Sequence, residues 1–330
     1  MARRDIIVVG ASAGAFEALK QLVAGLPADF SASLLVVRHI PPTGPGLLPE
    51  ILSAAGSLPV VAGTDGDALR PGWIYVAPPD HHLLVERDRV RVTRGPKENG
   101  FRPAVDALFR SAAYVFGPRV IGVVLSGALD DGTAGLWAIK DRGGIAIVQD
   151  PAEAAYPSMP NHAIRHVAVD HIASIPAIAG LLIELTRQTI AEEMAPMSES
   201  LKIEHRIAME DNALQAGVMT LGSISPYTCP DCHGTMVQLR DTEITRFRCH
   251  TGHGFTIDGL LAAIDESIDD TLWSAVRVLE ERLLLLQQIE QYARDMNDSR
   301  RLGQISQQIA AAQQHIQSVR QVAFSQQLEL

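Results

Sequence analysis

The chain has 330 residues, 47% of them hydrophobic and 20% charged, and its formal net charge at pH 7 is −10. An acidic protein gains little from counterion release on a polyanion, so the composition argues against general binding to nucleic acid or to anionic membranes. The N-terminal apolar run is too short for a signal peptide, and no apolar stretch reaches the roughly 20 residues needed to span a bilayer, so we expect a cytoplasmic protein.

Up to about residue 190, short apolar runs rich in valine and isoleucine alternate with segments whose apolar residues recur every three or four positions. This alternation predicts an α/β fold with a doubly wound, mainly parallel sheet and helices on both faces. Two runs, Leu83 to Glu86 and Val90 to Thr93, flank a polar turn and predict a hairpin. The best predicted strands of the main sheet are Asp5 to Val9, Ser33 to Val37, Trp73 to Ala77, Val120 to Leu125 and Gly144 to Gln149.

The composition changes after residue 190, where AEEMAPMSES combines charge, proline and serine without periodicity and predicts an exposed linker. Beyond it we predict a short helix from Ile203 to Val218, a segment with three cysteines, and two long helices that form a hairpin or coiled coil. The predicted organisation has four parts, which are residues 1–190 for the α/β domain, 191–222 for the linker and short helix, 223–258 for a small ribbon around the cysteines, and 259–330 for the long helices.

The first motif is GASAG, Gly10 to Gly14, between the first strand and an amphipathic helix. In this context G-x-S-x-G predicts a nucleophile elbow, because glycines let the backbone turn sharply and lift the Ser12 hydroxyl above the sheet edge. A glycine-rich first turn also binds phosphates in dinucleotide-binding folds. The spacing differs from G-x-G-x-x-G, and the second strand ends in Arg38 and His39 rather than in an acidic residue. On this motif alone both interpretations stay open.

Two further candidates follow other predicted strands. His39 ends the second strand, where an imidazole can take the proton of Ser12. The run LSGALDDGTAG puts Asp130 and Asp131 on a glycine-flanked loop after a later strand. Serine, histidine and aspartate are therefore all predicted at the carboxyl edge of the sheet, where open α/β sheets have their sites. A structural histidine and helix-capping aspartates are the alternative interpretation.

The motifs taken together are more specific than any one of them. In chain order the sequence contains VGASAG, RHIPP, PGWIYVAPPDHHL, FRPAVDALF, LSGALDDGTAG and SMPNHAI, which together resemble the catalytic domain of the chemotaxis protein-glutamate methylesterases over roughly residues 4 to 187. The resemblance implies that Ser12 is the nucleophile, His39 the base and Asp131 the orienting acid, while Asp130 falls where the family varies. It also implies hydrolysis of γ-glutamyl methyl esters on receptor proteins, often with deamidation of particular glutamines, and no cofactor for catalysis.

The sequence departs from the family pattern near the expected site. Ala15 stands where the family's elbow usually has glycine, and Ala128 and Leu129 stand where it usually has methionine and glycine. The first predicted strand begins at residue 5, so we expect no attached receiver domain and a target that need not be a chemotaxis receptor. The expected substrate is a methylated receptor or another signalling protein, and a methyltransferase or a regulator is an expected partner.

All three cysteines belong to two close pairs, Cys-x2-Cys and Cys-x3-His, with sixteen residues between the pairs. Two such pairs predict a tetrahedral structural zinc site whose ligands are Cys229, Cys232, Cys249 and His253. His250 is a rival for the fourth ligand, and His233 is a weaker one. The surrounding CPDCHG and RFRCHTGH resemble a zinc-ribbon extension found on some receiver-less relatives of the methylesterase.

Two classes of function stay open from the sequence. The first is an active serine esterase on protein glutamyl esters, and the second is a signalling scaffold that acts through its zinc ribbon and helices. The final helices are predicted to pack on each other or on another helical protein, including a second copy in a homodimer. DNA binding through Arg240, Arg246 and Arg248 is disfavoured by the acidic composition, and no nucleic acid partner is expected.

Overall fold

The structure is a computed structural model that describes residues 2–191, 196–210, 212–240 and 244–326. The chain divides into two compact units, and the boundary lies between Leu260 and Leu261. The first unit contains the described strands, whereas the second is helical. Within the described ranges, no helix combines the length and the apolar character needed to cross a membrane.

The secondary structure follows the alternation expected of an α/β chain. The strands are β1 (Ala2–Arg3), β2 (Ile6–Ala11), β3 (Ser33–Arg38), β4 (Val60–Ala62), β5 (Ile74–Val76), β6 (His82–Val85), β7 (Val90–Thr93), β8 (Val120–Val124), β9 (Ile145–Gln149), β10 (His171–Ala173), β11 (Thr189–Ile190), β12 (Gly222–Thr228), β13 (Thr235–Leu239), β14 (Arg246–Cys249) and β15 (Gly254–Thr256). The helices are α1 (Phe16–Ala24), α2 (Leu48–Ala55), α3 (Val105–Phe116), α4 (Thr133–Asp141), α5 (Ser158–His166), α6 (Ile175–Arg187), α7 (Glu199–Ala208), α8 (Ala213–Ala216), α9 (Ile257–Asp295) and α10 (Ser299–Gln326).

Seven parallel strands form the main sheet, in the order β10-β9-β8-β2-β3-β5-β4. Helices cover both faces, so the central strand β2 is buried along its whole length. Ile7 of β2 packs into one core with Leu19 of α1, and its neighbour Val8 packs into the opposite core with Phe109 of α3. Apolar residues on both sides of a strand are what such a sheet requires. The predicted doubly wound α/β fold is confirmed.

The order of the strands reverses at β2. The chain passes from β2 to β3 on one side, and later adds β8 on the other side. The loops that follow β2, β3 and β8 therefore meet at one edge of the sheet, at the switch point where open α/β sheets bind their ligands.

The predicted strands of the main sheet are found within one or two residues of their expected ends, and β6 and β7 form the predicted hairpin. Sequence analysis missed β4 and β10, the two edges of the main sheet. Each has three residues, which is too short for a recognisable hydrophobic period.

The helix predicted from Ile203 to Val218 has the wrong bounds. α7 begins at Glu199, because the Ser198 hydroxyl accepts a hydrogen bond from the Leu201 amide at 3.2 Å. It ends at Ala208, and Glu210 adopts a left-handed φ of 67°, which an α-helix cannot continue through. α7 thus starts inside the predicted linker, of which residues 192–195 lie outside the described residues.

Strands β12 to β15 form a four-stranded antiparallel sheet that carries the cysteines. We call this sheet and its connecting loops, residues 222–256, the ribbon. It belongs to the same compact unit as the parallel sheet. The division into four parts stays a prediction.

Buried charges join the ribbon to the α/β domain. Arg248 of β14 pairs with Glu98 at 3.2 Å and with Glu204 of α7 at 2.7 Å. Arg246 pairs with Glu204 at 2.8 Å, and Arg110 of α3 is the second partner of Glu98. Burial acts to raise the pKa of Glu98, but Arg110 and Arg248 outweigh it and hold that pKa at about 2. Because Arg246 and Arg248 are buried in these pairs, they form no surface for DNA.

The second unit is a pair of antiparallel helices, in agreement with the predicted hairpin. Ser306 of α10 donates a hydrogen bond to Glu290 of α9 at 3.0 Å. Further along, the rings of Trp273 and Phe324 meet edge to face with centroids 5.4 Å apart, and Ala312 is fully buried in the unit. The final residues 327–330 lie outside the described part of the chain.

Candidate active site and cysteine cluster

Ser12 lies directly after β2, on the turn into α1. Its amide donates to the Ser126 carbonyl at 3.0 Å, and Gly14 takes the left-handed φ of 70° that the sharp turn needs. The loop after β8 approaches so closely that a Cβ at Gly127 would lie 2.0 Å from Met159 Sδ and 2.8 Å from Ser12 Cβ. Ser12 is therefore tightly packed at the carboxyl edge of the sheet.

His39 lies directly after β3, where its amide donates to the Ala11 carbonyl at 3.1 Å. Its Nδ1 lies 3.0 Å from Ser12 Oγ, and its Nε2 lies 2.7 Å from Asp131 Oδ2. The structure thus brings together all three residues predicted from the sequence. The two ring nitrogens exchange partners relative to the serine proteases, in which Nε2 faces the serine and Nδ1 the carboxylate.

Asp131 is almost fully buried, in the loop between β8 and α4. Its Oδ2 accepts the Val105 amide at 2.7 Å, and its Oδ1 accepts the amides of Asp106 and Gly132 at 3.0 and 2.9 Å. The first two donors belong to the first turn of α3, whose amides lack partners within the helix and favour a negative charge. These bonds fix the carboxylate and direct one oxygen at His39.

Phe101 is a neighbour of the site that sequence analysis missed. Its ring stacks on the His39 imidazole with centroids 3.8 Å apart and an angle of 5° between the planes. Phe101 opens the motif FRPAVDALF, which was the only signal in the sequence that could have drawn attention to it. The stacking covers one face of the imidazole and restricts its rotation.

Asp106 is a second buried carboxyl near the site. Burial, followed by the charge of Asp131, raises the pKa of Asp106 to about 8. Its Oδ1 accepts the Gly135 amide at 2.6 Å, so α4 is tied to α3 through this side chain. A protonated Asp106 avoids placing a second negative charge beside Asp131.

Two further residues of the sequence motifs, Arg102 and His82, have structural partners. Arg102 donates two hydrogen bonds to Asp80 Oδ1, at 2.7 and 3.0 Å, which favours a scaffold role over pairing with a substrate carboxylate. The buried His82 ring contacts the Pro96 carbonyl at 2.9 Å and the Ala104 amide at 3.2 Å. It therefore holds two loops together.

The three departures from the family pattern have different surroundings. Ala15 is fully buried, so its side chain does not face a substrate. Ala128 is exposed and Leu129 is half-buried, and both follow Gly127, which packs against Ser12. Leu129 has a left-handed φ of 58°, and its carbonyl accepts the Ser158 hydroxyl at 3.0 Å. The departures that can meet a substrate are therefore Ala128 and Leu129.

Asp130, next to the site, connects to the end of the ribbon. Its Oδ1 accepts the Thr256 hydroxyl at 2.8 Å. Its Oδ2 lies 3.9 Å from Nδ1 of His162, and His162 Nε2 lies 3.7 Å from Asp258. The neighbouring Asp130 carboxylate raises the pKa of His162.

A hydroxyl, an imidazole and a carboxylate at the switch point of a parallel sheet point to a class, the carboxylic ester hydrolases with an α/β fold. The CheB methylesterase family matches residues 7–182, which is more than half of the chain. The chain belongs to the CheB methylesterase family, and the predicted family and enzyme class are confirmed.

Each of the relatives described next matches a little more than half of the chain. The protein-glutamate methylesterase/protein-glutamine glutaminase 2 of Methanosarcina mazei is 35% identical over 192 residues, which are 56% of this chain and 52% of that protein. The enzyme of the same name from Pseudomonas aeruginosa is 37% identical over 188 residues, 56% of this chain and 54% of that protein. A relative from Leptospira interrogans is 36% identical over 189 residues, 57% of this chain and 98% of its own length. The crystal structure of the Thermotoga maritima CheB methylesterase catalytic domain is similar with a TM-score of 0.53 and 32% identity, over 56% of this chain and 100% of that chain.

The cysteine cluster lies outside the family match, in the ribbon. Cys229 Sγ and Cys249 Sγ each lie 3.6 Å from His253 Nδ1, and Cys232 Sγ lies 3.7 Å from Cys249 Sγ. All four atoms lie within 4.8 Å of one another. Zn–S bonds of about 2.3 Å in a tetrahedral site put two sulfurs roughly 3.7 Å apart, so the donor set fits zinc in type and size.

The rival ligand His250 lies elsewhere. Its ring packs on Gly234, where a Cβ would lie only 2.0 Å from the ring. Among the described residues, the group of ligand atoms includes His253 and neither His250 nor His233. The geometry therefore favours His253 as the fourth ligand.

Proposed function

We propose that this chain is a serine hydrolase that demethylates glutamyl methyl esters on chemoreceptor-like signalling proteins. Ser12 is the nucleophile, His39 the general base and Asp131 the acid that orients the imidazole. The relay of 3.0 Å from Ser12 to His39 and 2.7 Å from His39 to Asp131 carries this proposal. Deamidation of glutamine side chains on the same targets is a related activity, because both reactions pass through the same acyl-enzyme.

The first chemical step is attack on the ester. Nε2 of His39 keeps its proton and donates a hydrogen bond to Asp131. Nδ1 then accepts the proton of Ser12 as Oγ adds to the γ-carbonyl carbon. The tetrahedral intermediate collapses, His39 returns the proton to the methoxide, and methanol leaves. Water deprotonated by His39 then attacks the glutamyl-serine ester and releases glutamate and free Ser12.

The oxyanion of both intermediates needs donors on the other side of the carbonyl carbon. The Ser12 amide already donates to Ser126, and the Gly127 amide donates to the Tyr156 carbonyl at 3.0 Å. We therefore assign the role to the Ala13 amide and to the amides of Ala128 and Leu129. The position of this loop supports the role, because its Gly127 packs against Ser12.

The substrate and the partners are those of a cytoplasmic signalling enzyme. Several relatives carry the name protein-glutamate methylesterase/protein-glutamine glutaminase, which supports a methylated receptor or another methylated signalling protein as substrate. A methyltransferase that adds the same ester, or a regulator of the pathway, is the expected partner. The acidic composition supports the absence of a nucleic acid partner.

The direct test is labelling with a fluorophosphonate, which forms a covalent bond with an activated serine. We expect rapid labelling of the wild type and none of Ser12→Ala or His39→Ala, with circular dichroism to verify folding. Methanol release from a methyl-esterified receptor fragment then tests the substrate class. A folded wild type that labels no faster than Ser12→Ala contradicts the hydrolase and favours the second candidate, a scaffold that acts through the ribbon and helices.

We also propose that the ribbon holds one structural zinc ion through Cys229, Cys232, Cys249 and His253. The four ligands would fill the tetrahedral shell and leave no open position for catalysis. The ion would stabilise a sheet too small to have a large core of its own. Metal analysis of the purified chain should give about one zinc per molecule, and substoichiometric metal after zinc supplementation contradicts the proposal.

The helical unit supports a homodimer as a further proposal. Leu285, Tyr292 and Met296 are 60%, 73% and 77% exposed and lie on one face of α9, at intervals of seven and four residues. An apolar stripe at this spacing fits the same stripe of a second copy. Sedimentation of the wild type and of a Tyr292→Glu, Met296→Glu variant tests it, since the charges should yield monomers.

A further inference from the structure

The turn that carries Phe101 is closed by two backbone hydrogen bonds and tied to α3 by the buried Glu98–Arg110 pair. The Phe101 amide donates to the Glu98 carbonyl at 2.8 Å, and the Glu98 amide donates to the Phe101 carbonyl at 3.1 Å. At its tip, Asn99 and Gly100 have left-handed φ values of 49° and 77°. This four-residue turn, 98–101, is what holds the phenyl ring against His39.

The last strand of the ribbon holds the turn in place. The Gly254 amide donates to the Lys97 carbonyl at 3.2 Å, and the Asn99 amide donates to the Gly254 carbonyl at 2.8 Å. The Asn99 side chain completes the contact, because its Oδ1 accepts the Thr256 amide at 2.8 Å and lies 3.3 Å from the Thr256 hydroxyl. Asn99 is 7% exposed and Thr256 2% exposed, so water does not compete for these bonds.

The same threonine reaches the other side of the active site. Its hydroxyl donates to Asp130 Oδ1 at 2.8 Å, and Asp130 directly precedes Asp131, the acceptor of the His39 ring. Thr256 therefore touches both loops that flank the imidazole, the Phe101 turn and the aspartate loop. Glu98, in the same turn, is also held by Arg248 of the ribbon at 3.2 Å.

We propose that the ribbon braces the active site, with Asn99 and Thr256 as positioning residues that act on His39 through Phe101 and the Asp130–Asp131 loop. This inference deepens the proposed hydrolase function and rests on it. The family match ends at residue 182, so Thr256 lies outside the part of the chain that matches the family. The brace changes no step of the chemistry; it limits rotation of an imidazole that must face a serine and a carboxylate at once.

The test uses variants that break the brace without touching the triad. Thr256→Val removes the hydroxyl but keeps the β-branched shape, and Thr256→Ser is the matched control that keeps the hydroxyl. Because the Thr256 hydroxyl also accepts the Gly259 amide at 3.0 Å at the start of α9, a second variant avoids that helix cap. Asn99→Gly removes the acceptor and suits the left-handed backbone, and Asn99→Asp restores an acceptor oxygen.

Fluorophosphonate inactivation gives separate values for kinact and KI. We expect Thr256→Val and Asn99→Gly to lower kinact by about tenfold or more while KI changes by less than about twofold, since misaligned catalytic groups slow the reaction and leave binding intact. Thr256→Ser and Asn99→Asp should recover most of kinact. Phe101→Leu should lower kinact as well, and should add little in the Thr256→Val background, because both changes act through one contact. A folded Asn99→Gly variant with wild-type kinact contradicts the brace. So do effects of Phe101→Leu and Thr256→Val on kinact that are fully additive.

A second readout does not depend on activity. The stacked Phe101 ring should shift the His39 ring proton resonances upfield, with His39→Gln used for assignment. We expect Asn99→Gly and Thr256→Val to move these resonances toward their unshielded positions. If the fluorophosphonate does not label the wild type, the hydrolase proposal is contradicted whatever the resonances show. If the His39 resonances do not move in the two variants, the brace is contradicted whatever the labelling shows.

Discussion

The triad of Ser12, His39 and Asp131 and the cysteine cluster both gather residues from distant parts of the chain, but they are supported in different ways. The triad lies on a seven-stranded sheet with a core on each face, and three backbone amides already hold its carboxylate. The cluster lies on four short strands with few buried apolar side chains. The first site is organised by packing, whereas we propose that an ion holds the second.

This difference teaches how an added segment can become part of an enzyme. A ribbon with its own ion could be independent of the domain it follows. This ribbon instead forms buried ion pairs with the α/β domain, and its last strand is hydrogen-bonded to the Phe101 turn. Arg248 lies next to the proposed ligand Cys249 in sequence and pairs with Glu98 of the Phe101 turn. The organisation of the cluster and that of the triad are therefore linked through a few residues.

The largest expected effect is on the triad itself. Ser12→Ala should lower ester hydrolysis by about a thousandfold or more, because no other group supplies the nucleophile. It should leave the zinc content unchanged, since the serine has no contact with the cluster. Both are measured on the same preparation, by methanol release and by metal analysis. Loss of zinc in Ser12→Ala would show that the serine itself supports the cluster, which contradicts this expectation.

The next effect is on the cluster. Cys229→Ser should reduce bound zinc from about one ion per chain to near zero and lower the thermal midpoint of the first unit, because a thiolate ligand is lost. His250→Asn is the matched control, as its ring packs on Gly234 and should leave zinc bound. If the brace operates, Cys229→Ser also slows fluorophosphonate labelling, and His250→Asn does not. Equal zinc in wild type and Cys229→Ser would mean that Cys229 does not bind the ion.

The buried charges between the two regions give a third effect. Glu204 is 2% exposed and is a partner of both Arg246 and Arg248, so Glu204→Gln removes a buried negative charge that two guanidinium groups share. We expect a loss of about 3–5 kcal/mol in the free energy of unfolding, measured with denaturant. Glu199→Gln, in an exposed pair with Lys202, should cost less than about 1 kcal/mol. Similar losses in both variants would contradict a buried network.

Much of the α/β domain could be predicted from the sequence because its strands are continuous apolar runs and its active-site groups follow them. The edge strands β4 and β10 were not predicted, since three residues are too few to show a hydrophobic period. The end of α7 at Ala208 was not predicted, because Glu210 adopts a left-handed backbone conformation that a glutamate rarely adopts. The contact between Thr256 and Asn99 could not be predicted at all, since it joins residues 157 apart through groups found in most turns.

The last effect concerns pH and the carboxyl beside the triad. The folded-state pKa of Asp106, raised to about 8, exceeds that of the unfolded chain, about 3.9. Between these values the folded protein binds the extra proton, so this residue's contribution to stability falls as the pH rises from about 4 to 8. Asp106→Asn keeps the shape without the ionisation, and its free energy of unfolding should vary less with pH over this range. The measurement is denaturant unfolding at several pH values, with the exposed Asp88→Asn as the control. Parallel curves for wild type and Asp106→Asn would mean that Asp106 is already charged in the folded protein, and that the amides around Asp131 accommodate two neighbouring carboxylates.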